Sequence, residues 1–439
     1  MEARAPSCES RPEPPAADGG GSTVVLAPCA DAKHLDALAE IASFAYRQSS
    51  FYRRKYDKAK VKPDHARLPD DLPIVRAEEL VRQPLEFRTN VPIYRVVAGS
   101  GTTSTPKLMF RSKADFELSI GNELRLQKWA GVEAHDVVAV AQAYDLWASG
   151  ELIQAAAARI GATVVPLGLI PDADSLPILV STGVTVLDTT PSRLERMLRL
   201  SSTAGPASRP AIRTVMVSGE PLAPRLRETA EAVWQADIFD QYGTEETDGL
   251  AGNRQPCGAL SLLSDDFVFE LLDPVYEKDG DGVVGRLLVS SLYHKGTPLV
   301  RYLLDDLVRV HPSRSGEITV LGRASECFFL YDSVKLHPHQ VQAAFDAEGM
   351  GDLQWKCFAD RSDTGIDRLE LLFAPDPTTR APKVADVVSV LEACTYEVTG
   401  LVSMGDLVVG ARRVPDLADL TRRGKNRRFV DRRTSSAEE

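Results

Sequence analysis

Between Val137 and Phe239 the chain alternates short β-branched runs with segments of helical character, and this alternation restricts the fold more than any other feature. Asp136–Val140 reads as a buried strand, Glu151–Arg159 as an alanine-rich helix and Ala162–Pro166 as the next strand. The pattern repeats through strand Val184–Leu187, helix Pro191–Leu200, strand Thr214–Val217, helix Ala223–Trp234 and strand Ile238–Phe239. Strands separated by helices form a parallel sheet covered on both faces, so the expected class is α/β. Ligands on such sheets bind beyond the carboxyl ends of the strands, which directs attention to the segments after Val217 and after Phe239. Apolar spacing predicts one helix over Ala32–Lys55 and another over Ala114–Trp129. From about Val268 the pattern turns strand-rich, with a hairpin turn at Asp279-Gly280-Asp281-Gly282. A shorter α+β segment follows, including strand Leu369–Phe373 and helix Val384–Ala393. The expected organisation is a disordered tail over 1–22, a large N-terminal domain over 23–321 and a small mobile α+β C-terminal domain over 322–439.

The stretch Ser100-Gly101-Thr102-Thr103-Ser104-Thr105-Pro106-Lys107 follows the apolar run Val91–Val97. Hydroxyls, exposed backbone N–H groups, a glycine and one lysine are what a polyphosphate requires. The stretch is neither a Walker loop nor a complete G-x-G-x-x-G, because Ser104 stands where the third glycine belongs. A net charge of −11 disfavours a nucleic-acid partner. No apolar run approaches the ~20 residues of a membrane-spanning helix. The six cysteines are scattered without a C-x-x-C pair, which fits a reduced, cytoplasmic protein. His337 and His339 alternate on one side of the chain but lack further ligands nearby, so they read as structural.

Four separated stretches together resemble the adenylate-forming superfamily, in its phenylacetate–CoA ligase-like branch. They are the Ser100–Lys107 loop, Asp240-Gln241-Tyr242-Gly243-Thr244-Glu245-Glu246, Pro298-Leu299-Val300-Arg301-Tyr302-Leu303-Leu304-Asp305-Asp306-Leu307 followed by Gly322-Arg323, and Gly424-Lys425-Asn426-Arg427-Arg428-Phe429-Val430-Asp431. They are similar to S-G-T-T-G-x-P-K, D-x-Y-G-x-T-E, P-x-x-R-Y-x-T-x-D-L and G-K-x-x-R-V-x-D. Tyr144-Asp145-Leu146-Trp147 and Ser218-Gly219-Glu220-Pro221 match the same branch, and coverage runs from about residue 32 to 433.

The resemblance implies attack of an acid's oxyanion on the α-phosphate of ATP, giving an acyl-adenylate and pyrophosphate. It assigns Ser100, Gly101, Thr102 and Thr103 to the β- and γ-phosphates, together with Lys107, and Tyr242, Gly243 and Thr244 to the nucleotide. It assigns Ser218, Gly219 and Glu220 to the adenine, Asp306 to the ribose hydroxyls with Arg323 beside it, and Glu246 to a magnesium ion, with Glu245 competing for that role. Lys425 is expected to reach the acid's oxygen and the α-phosphate when the small domain closes, and Tyr144 and Trp147 to wall an aromatic acid. ATP and Mg2+ are implied, with CoA as the acceptor, and homodimerisation is left open; ligases of this kind also serve secondary metabolism.

Three departures bear on the reaction. Ser104 replaces the loop glycine, and Glu245 stands where the family carries Thr or Ser. The family's R-G-x-N-x-x-P loop is replaced by Tyr331-Asp332-Ser333-Val334-Lys335-Leu336-His337-Pro338, which puts a negative charge and a side chain where pantetheine must pass. The expected function is therefore ATP-dependent activation of a small aromatic acid, with transfer to CoA. The alternatives are transfer to an amine, activation of nitrite as a related oxyanion for diazotisation of an aryl amine, and a non-catalytic nucleotide-binding protein.

Overall fold

The computed structural model describes residues 22–26, 29, 31–65, 69–99, 106–205, 209–254, 258–277, 282–311, 313–314, 316–330, 334–362, 366–374, 381–415, 417 and 428–433. Residues 1–21 of the tail expected over 1–22, the turn residues 279–281, residues 100–105, residues 331–333 and the stretch 418–427 that contains Lys425 lie outside the described residues.

The alternating segment forms five parallel strands in the order Thr163–Pro166, Val137–Val140, Val186–Thr189, Thr214–Val217 and Asp237–Thr244. Successive side chains of a strand point to opposite faces, and both faces here are apolar. Val138, Val186, Met216 and Phe239 pack on one side against Phe116, Ile120, Leu126 and Ile153 of the helices Lys113–Trp129 and Ser149–Ile160. Ala139, Leu187, Val215 and Ile238 pack on the other against Leu194, Met197 and Ala230 of the helices Pro191–Ala204 and Pro224–Trp234.

The parallel strands are one wing of a larger sheet. Asp237–Thr244 pairs antiparallel with Asp248–Asn253, and the sheet continues through Leu260–Leu262, Glu317–Arg323, Tyr302–Val310, Val283–Ser291, Phe267–Tyr276 and Thr23–Val25. With Val75–Arg76, which pairs parallel with Tyr302–Val310, the α/β core and the strand-rich region share one sheet of thirteen strands among the described residues. Tyr276 pairs with Val283, so the expected hairpin forms around the turn.

Two boundaries differ from expectation. The helix predicted over Ala32–Lys55 is two, Ala32–Gln48 and Ser50–Ala59, because Ser49 adopts an extended backbone and its hydroxyl accepts from the Tyr52 N–H. The strand predicted to end at Leu187 runs on to Thr189, carrying Asp188 into the sheet. The large sheet reaches Arg323; beyond it a four-stranded sheet, ordered Leu407–Arg413, Asp367–Ala374, Gln354–Arg361 and Phe429–Asp431, packs a separate core with helices Pro338–Ala347 and Val384–Glu392. Among the described residues no single helix is long and apolar enough to cross a membrane.

Candidate active site

Lys107 opens the second strand of an antiparallel hairpin formed by Ile93–Gly99 and Lys107–Ser112, in which Gly99 pairs with Lys107. Ser100, Gly101, Thr102 and Thr103 lie outside the described residues; of the strands on either side, one ends at Gly99 and the other begins at Lys107. The Lys107 ammonium contacts the Glu246 carboxylate, and the Tyr302 hydroxyl donates to the same oxygen at 3.2 Å. A Cβ on Gly99 would meet Lys107 Cε at 3.1 Å, so glycine there leaves the pair its room. Glu246 is buried. Burial pushes its pKa up, but the Lys107 charge and hydrogen bond outweigh this and hold it below the usual carboxylate range.

Glu246 is also held from behind. Arg111, itself buried, donates from Nη2 to the backbone carbonyl of Glu246 at 2.6 Å. The adjacent Asp248 has a left-handed backbone (φ 59°) and receives the Ser119 hydroxyl at 2.6 Å. A Cβ at Gly243 would lie 2.3 Å from the Asp248 carbonyl oxygen, so the turn between these strands requires glycine at that position. Thr244 closes the turn through its hydroxyl, 3.0 Å from that of Thr247.

Further along the sheet, Tyr302–Val310 places Asp306 opposite Arg323. The Tyr242 hydroxyl donates to one Asp306 oxygen at 2.5 Å, and Arg323 Nε lies 3.1 Å from the other. Burial raises the Asp306 pKa, and Arg323 and Tyr242 offset only part of that rise. Arg301, just before this strand, takes a left-handed backbone (φ 47°) and is buried with Nη2 2.9 Å from Glu270. Its role is therefore to anchor the turn that presents Tyr302 and Asp306.

Ser218 and Gly219 follow the carboxyl end of Thr214–Val217, Gly219 with φ 83°. The Glu220 carboxylate accepts from the Ser192 N–H at 2.9 Å and the Ser192 hydroxyl at 2.8 Å. It thus braces the first turn of the helix Pro191–Ala204, a site that favours negative charge. Tyr144 and Trp147 lie on the segment between the Val137–Val140 strand and the Ser149–Ile160 helix. The Ala98 N–H donates to the Leu146 carbonyl at 2.9 Å, which ties that segment to the hairpin formed by Ile93–Gly99 and Lys107–Ser112. Glu245 turns away from Glu246: its Oε2 accepts from the Ala148 N–H at 3.3 Å, at the start of the same helix.

The structure therefore brings together Lys107, Glu246, Tyr242, Gly243, Thr244, Asp306 and Arg323, with Tyr144 and Trp147 reached through Glu245 and the hairpin. Lys425 is outside the described residues, while the Phe429–Asp431 strand just after it pairs parallel with Gln354–Arg361. His337 and His339 stack with ring centroids 5.5 Å apart, and no cluster of three or more potential metal ligands occurs among the described residues. The residues that sequence reasoning missed are buried polar ones: Asp188 with Gln142 and Gln241, and Arg111 behind Glu246.

The buried carboxylate of Glu246 suits a magnesium ion, which takes one or two carboxylates and completes its shell with phosphate oxygens and water. A site built that way needs no preformed cage of protein ligands.

A family model described as AMP-binding enzyme matches residues 92–297. The phenylacetate-coenzyme A ligase of Escherichia coli is 28% identical over 323 residues, covering 68% of this chain and 72% of that enzyme. A salicylyl-CoA synthase / salicylate adenylyltransferase of Streptomyces sp is 27% identical over 250 residues, covering 51% of this chain and 43% of that protein. Among solved structures, a 2-hydroxyisobutyryl-CoA ligase in its postadenylation state shares the fold with a TM-score of 0.68 at 19% identity, covering 93% of this chain and 91% of that one.

Proposed function

Because this chain belongs to the adenylate-forming superfamily, in its phenylacetate–CoA ligase-like branch, we propose that it is an AMP-forming ligase that activates a small aromatic carboxylic acid and passes the acyl group to CoA. The observation that carries the reading is the adjacency of two charged groups: Lys107–Glu246–Tyr302 where polyphosphate is expected, and Tyr242–Asp306–Arg323 where a ribose is expected. The aromatic character of the acid rests on Tyr144 and Trp147, and the relative named for salicylate agrees with it.

In the first half-reaction a carboxylate oxygen of the acid attacks the α-phosphorus, the bond to the β-phosphate bridging oxygen breaks, and pyrophosphate leaves. Glu246 would hold a magnesium ion, which would supply charge neutralisation for the phosphate oxygens. Lys107 sits at the root of the phosphate loop, where a cation stabilises charge developing on the leaving pyrophosphate. Asp306, offering two oxygens, accepts from both ribose hydroxyls, and Arg323 limits the cost of burying its charge. Lys425 is proposed to deliver the last positive charge as the small domain closes, so that the reacting oxygens are neutralised only in a water-excluded site. In the second half-reaction the CoA sulfur attacks the acyl carbon, AMP leaves with the bonding electrons, and the thiol proton is released.

The Asp332-Ser333 pair, in place of the family's Arg-Gly, favours a second reading in which an amine takes the acyl group. Pyrophosphate release is to be followed with a panel of aryl acids, with and without CoA. Acid-dependent release without CoA, and an acyl-CoA product with it, are expected. Release that an amine, but not CoA, converts to product sinks the thioester assignment; no release with any acid sinks the adenylation.

A further inference from the structure

Asp188 is fully buried at the carboxyl end of the parallel wing, on the face covered by the helices Lys113–Trp129 and Ser149–Ile160. Gln142 Nε2 donates to one of its oxygens at 2.8 Å and Gln241 Nε2 to the other at 3.0 Å. Gln142 Nε2 also lies 3.4 Å from the Ser218 hydroxyl, which links the group to a residue already placed at the strand ends. Gln241 directly precedes Tyr242 and is only 7% exposed, yet its Oε1 has no hydrogen-bond partner among the described residues. With Asp188 ionised, turning this amide over would set Oε1 against the carboxylate. The Tyr144 hydroxyl is likewise buried without a partner, and its pKa is pushed up to about 12, first by burial and then by the Asp188 charge. Glu123, buried on the helix Lys113–Trp129, adds a second carboxyl whose titration also feels Asp188.

The group is rich in acceptors and short of donors. An ionised carboxylate offers about four lone-pair sites, and the two glutamine amides occupy one on each oxygen. Gln241 Oε1 adds a further acceptor, and the Tyr144 hydroxyl, which keeps its proton, can both accept and donate. Buried acceptors left unpaired are costly, so the complement of this cluster is an N–H or O–H group. A hydroxyl has one hydrogen and can serve one of these acceptors. An amino group has two and serves Asp188 and Gln241 together.

We propose that Asp188 and Gln241 are specificity-determining residues that select a ring amino group, so that the acid activated here is an amino-substituted aryl acid. This rests on the reading that an aryl acid occupies the site lined by Tyr144, Trp147 and Ser218.

The test is ATP–pyrophosphate exchange by the full chain with benzoate and its amino-, hydroxy- and methyl-substituted forms at each ring position. An aminobenzoate isomer is expected to exceed its methyl isostere in kcat/KM by on the order of 100-fold, since a site built to hydrogen-bond a substrate N–H rejects the analogue that lacks it. Asp188→Leu is expected to collapse that ratio, and Asp188→Asn, which keeps the size and one acceptor, to leave it in between. Wild-type exchange that is as fast with benzoate or a methylbenzoate, or faster with a hydroxybenzoate than with any aminobenzoate, overturns the amino selectivity while leaving the aryl reading intact. Exchange with aliphatic acids and none with aryl acids overturns both. The wild-type panel decides even if the Leu variant does not fold, and an undiminished amino preference in either folded variant removes Asp188 from the selection.

Discussion

Glu246→Gln separates the stability of the proposed phosphate site from its chemistry. The Glu246 and Lys107 side chains are 5% and 14% exposed, so the pair is effectively buried and needs no discount for solvent screening. Replacing the carboxylate by an amide keeps the shape but leaves the Lys107 ammonium without its counter-charge. Breaking one side of a buried pair costs about 3–5 kcal/mol, most of it the penalty of the orphaned charge. Lys107→Met in the same chain removes that charge, so the double variant is expected to regain about 2 kcal/mol or more over the additive sum. Stability is read from urea denaturation midpoints of the four proteins in the cycle. Catalysis does not recover in parallel: both singles and the double are expected to lose about 100-fold or more in pyrophosphate exchange, the scale of removing a preorganised electrostatic contact. The magnesium dependence of residual exchange should weaken in every variant lacking Glu246. A cycle that is additive within ~0.5 kcal/mol refutes the buried-pair argument. Exchange retained at wild-type rate and magnesium dependence in Glu246→Gln refutes the catalytic one.

Asp306→Ala is expected to raise KM for ATP about 10-fold or more, at the strength of hydrogen bonds to a charged acceptor, and to leave KM for the acid near its wild-type value; steady-state kinetics in both substrates check this. Glu220→Ala is expected to lower stability by about 1 kcal/mol through lost support of a helix N-terminus, and a large rise in KM for ATP without loss of stability would instead give Glu220 to the adenine. Lys425→Ala is expected to abolish exchange while ATP binding, followed by titration calorimetry, stays nearly intact. Burial first, and the Asp188 charge second, push the Glu123 pKa up to about 8, and burial pushes Asp188 up to about 7. Both groups bind protons more tightly folded than unfolded, so their contribution to stability is complete below about pH 4 and is lost as pH rises to about 8. Glu123→Gln should flatten that fall in denaturation midpoints measured between pH 5 and 8.

The parallel wing was legible in the sequence because each of its strands carries its own signal, a β-branched run closed by a turn or a helix start. The thirteen-stranded continuity was not, since it depends on the turn at Gly243–Asp248, where a left-handed aspartate and a glycine reverse the chain into the antiparallel wing. Glu245 and Glu246 look equivalent as letters. Only the turn directs one toward Lys107 and the other toward the Ala148 N–H. Asp188 was overlooked for a related reason. A charged residue after Val-Leu reads as the end of a strand, and the glutamines that allow its burial come from 46 and 53 residues away in sequence. Ser49 shows the local version of the same limit: helical spacing runs through it undisturbed, and only its cap geometry divides the segment.

The two halves of the proposed site differ in how their charges are compensated, and the difference bears on where selectivity resides. In the nucleotide half each charged group already has an internal partner: Lys107 with Glu246, and Asp306 with Tyr242 and Arg323. Incoming phosphates and ribose would exchange with these partners, so the gain on binding is the difference between two satisfied arrangements. That suits a substrate common to many enzymes, bound with moderate affinity and held in position by a pre-formed frame. In the acid half Asp188 has its glutamines, but Gln241 Oε1 and the Tyr144 hydroxyl have no stand-in among the described residues. A ligand that supplies donors there recovers hydrogen bonds the protein leaves unmade, whereas one that does not keeps the deficit buried. Discrimination of that size exceeds what a methyl group more or less achieves in an apolar slot. ATP is therefore expected to be recognised by exchange of partners, and the acid by completion of them.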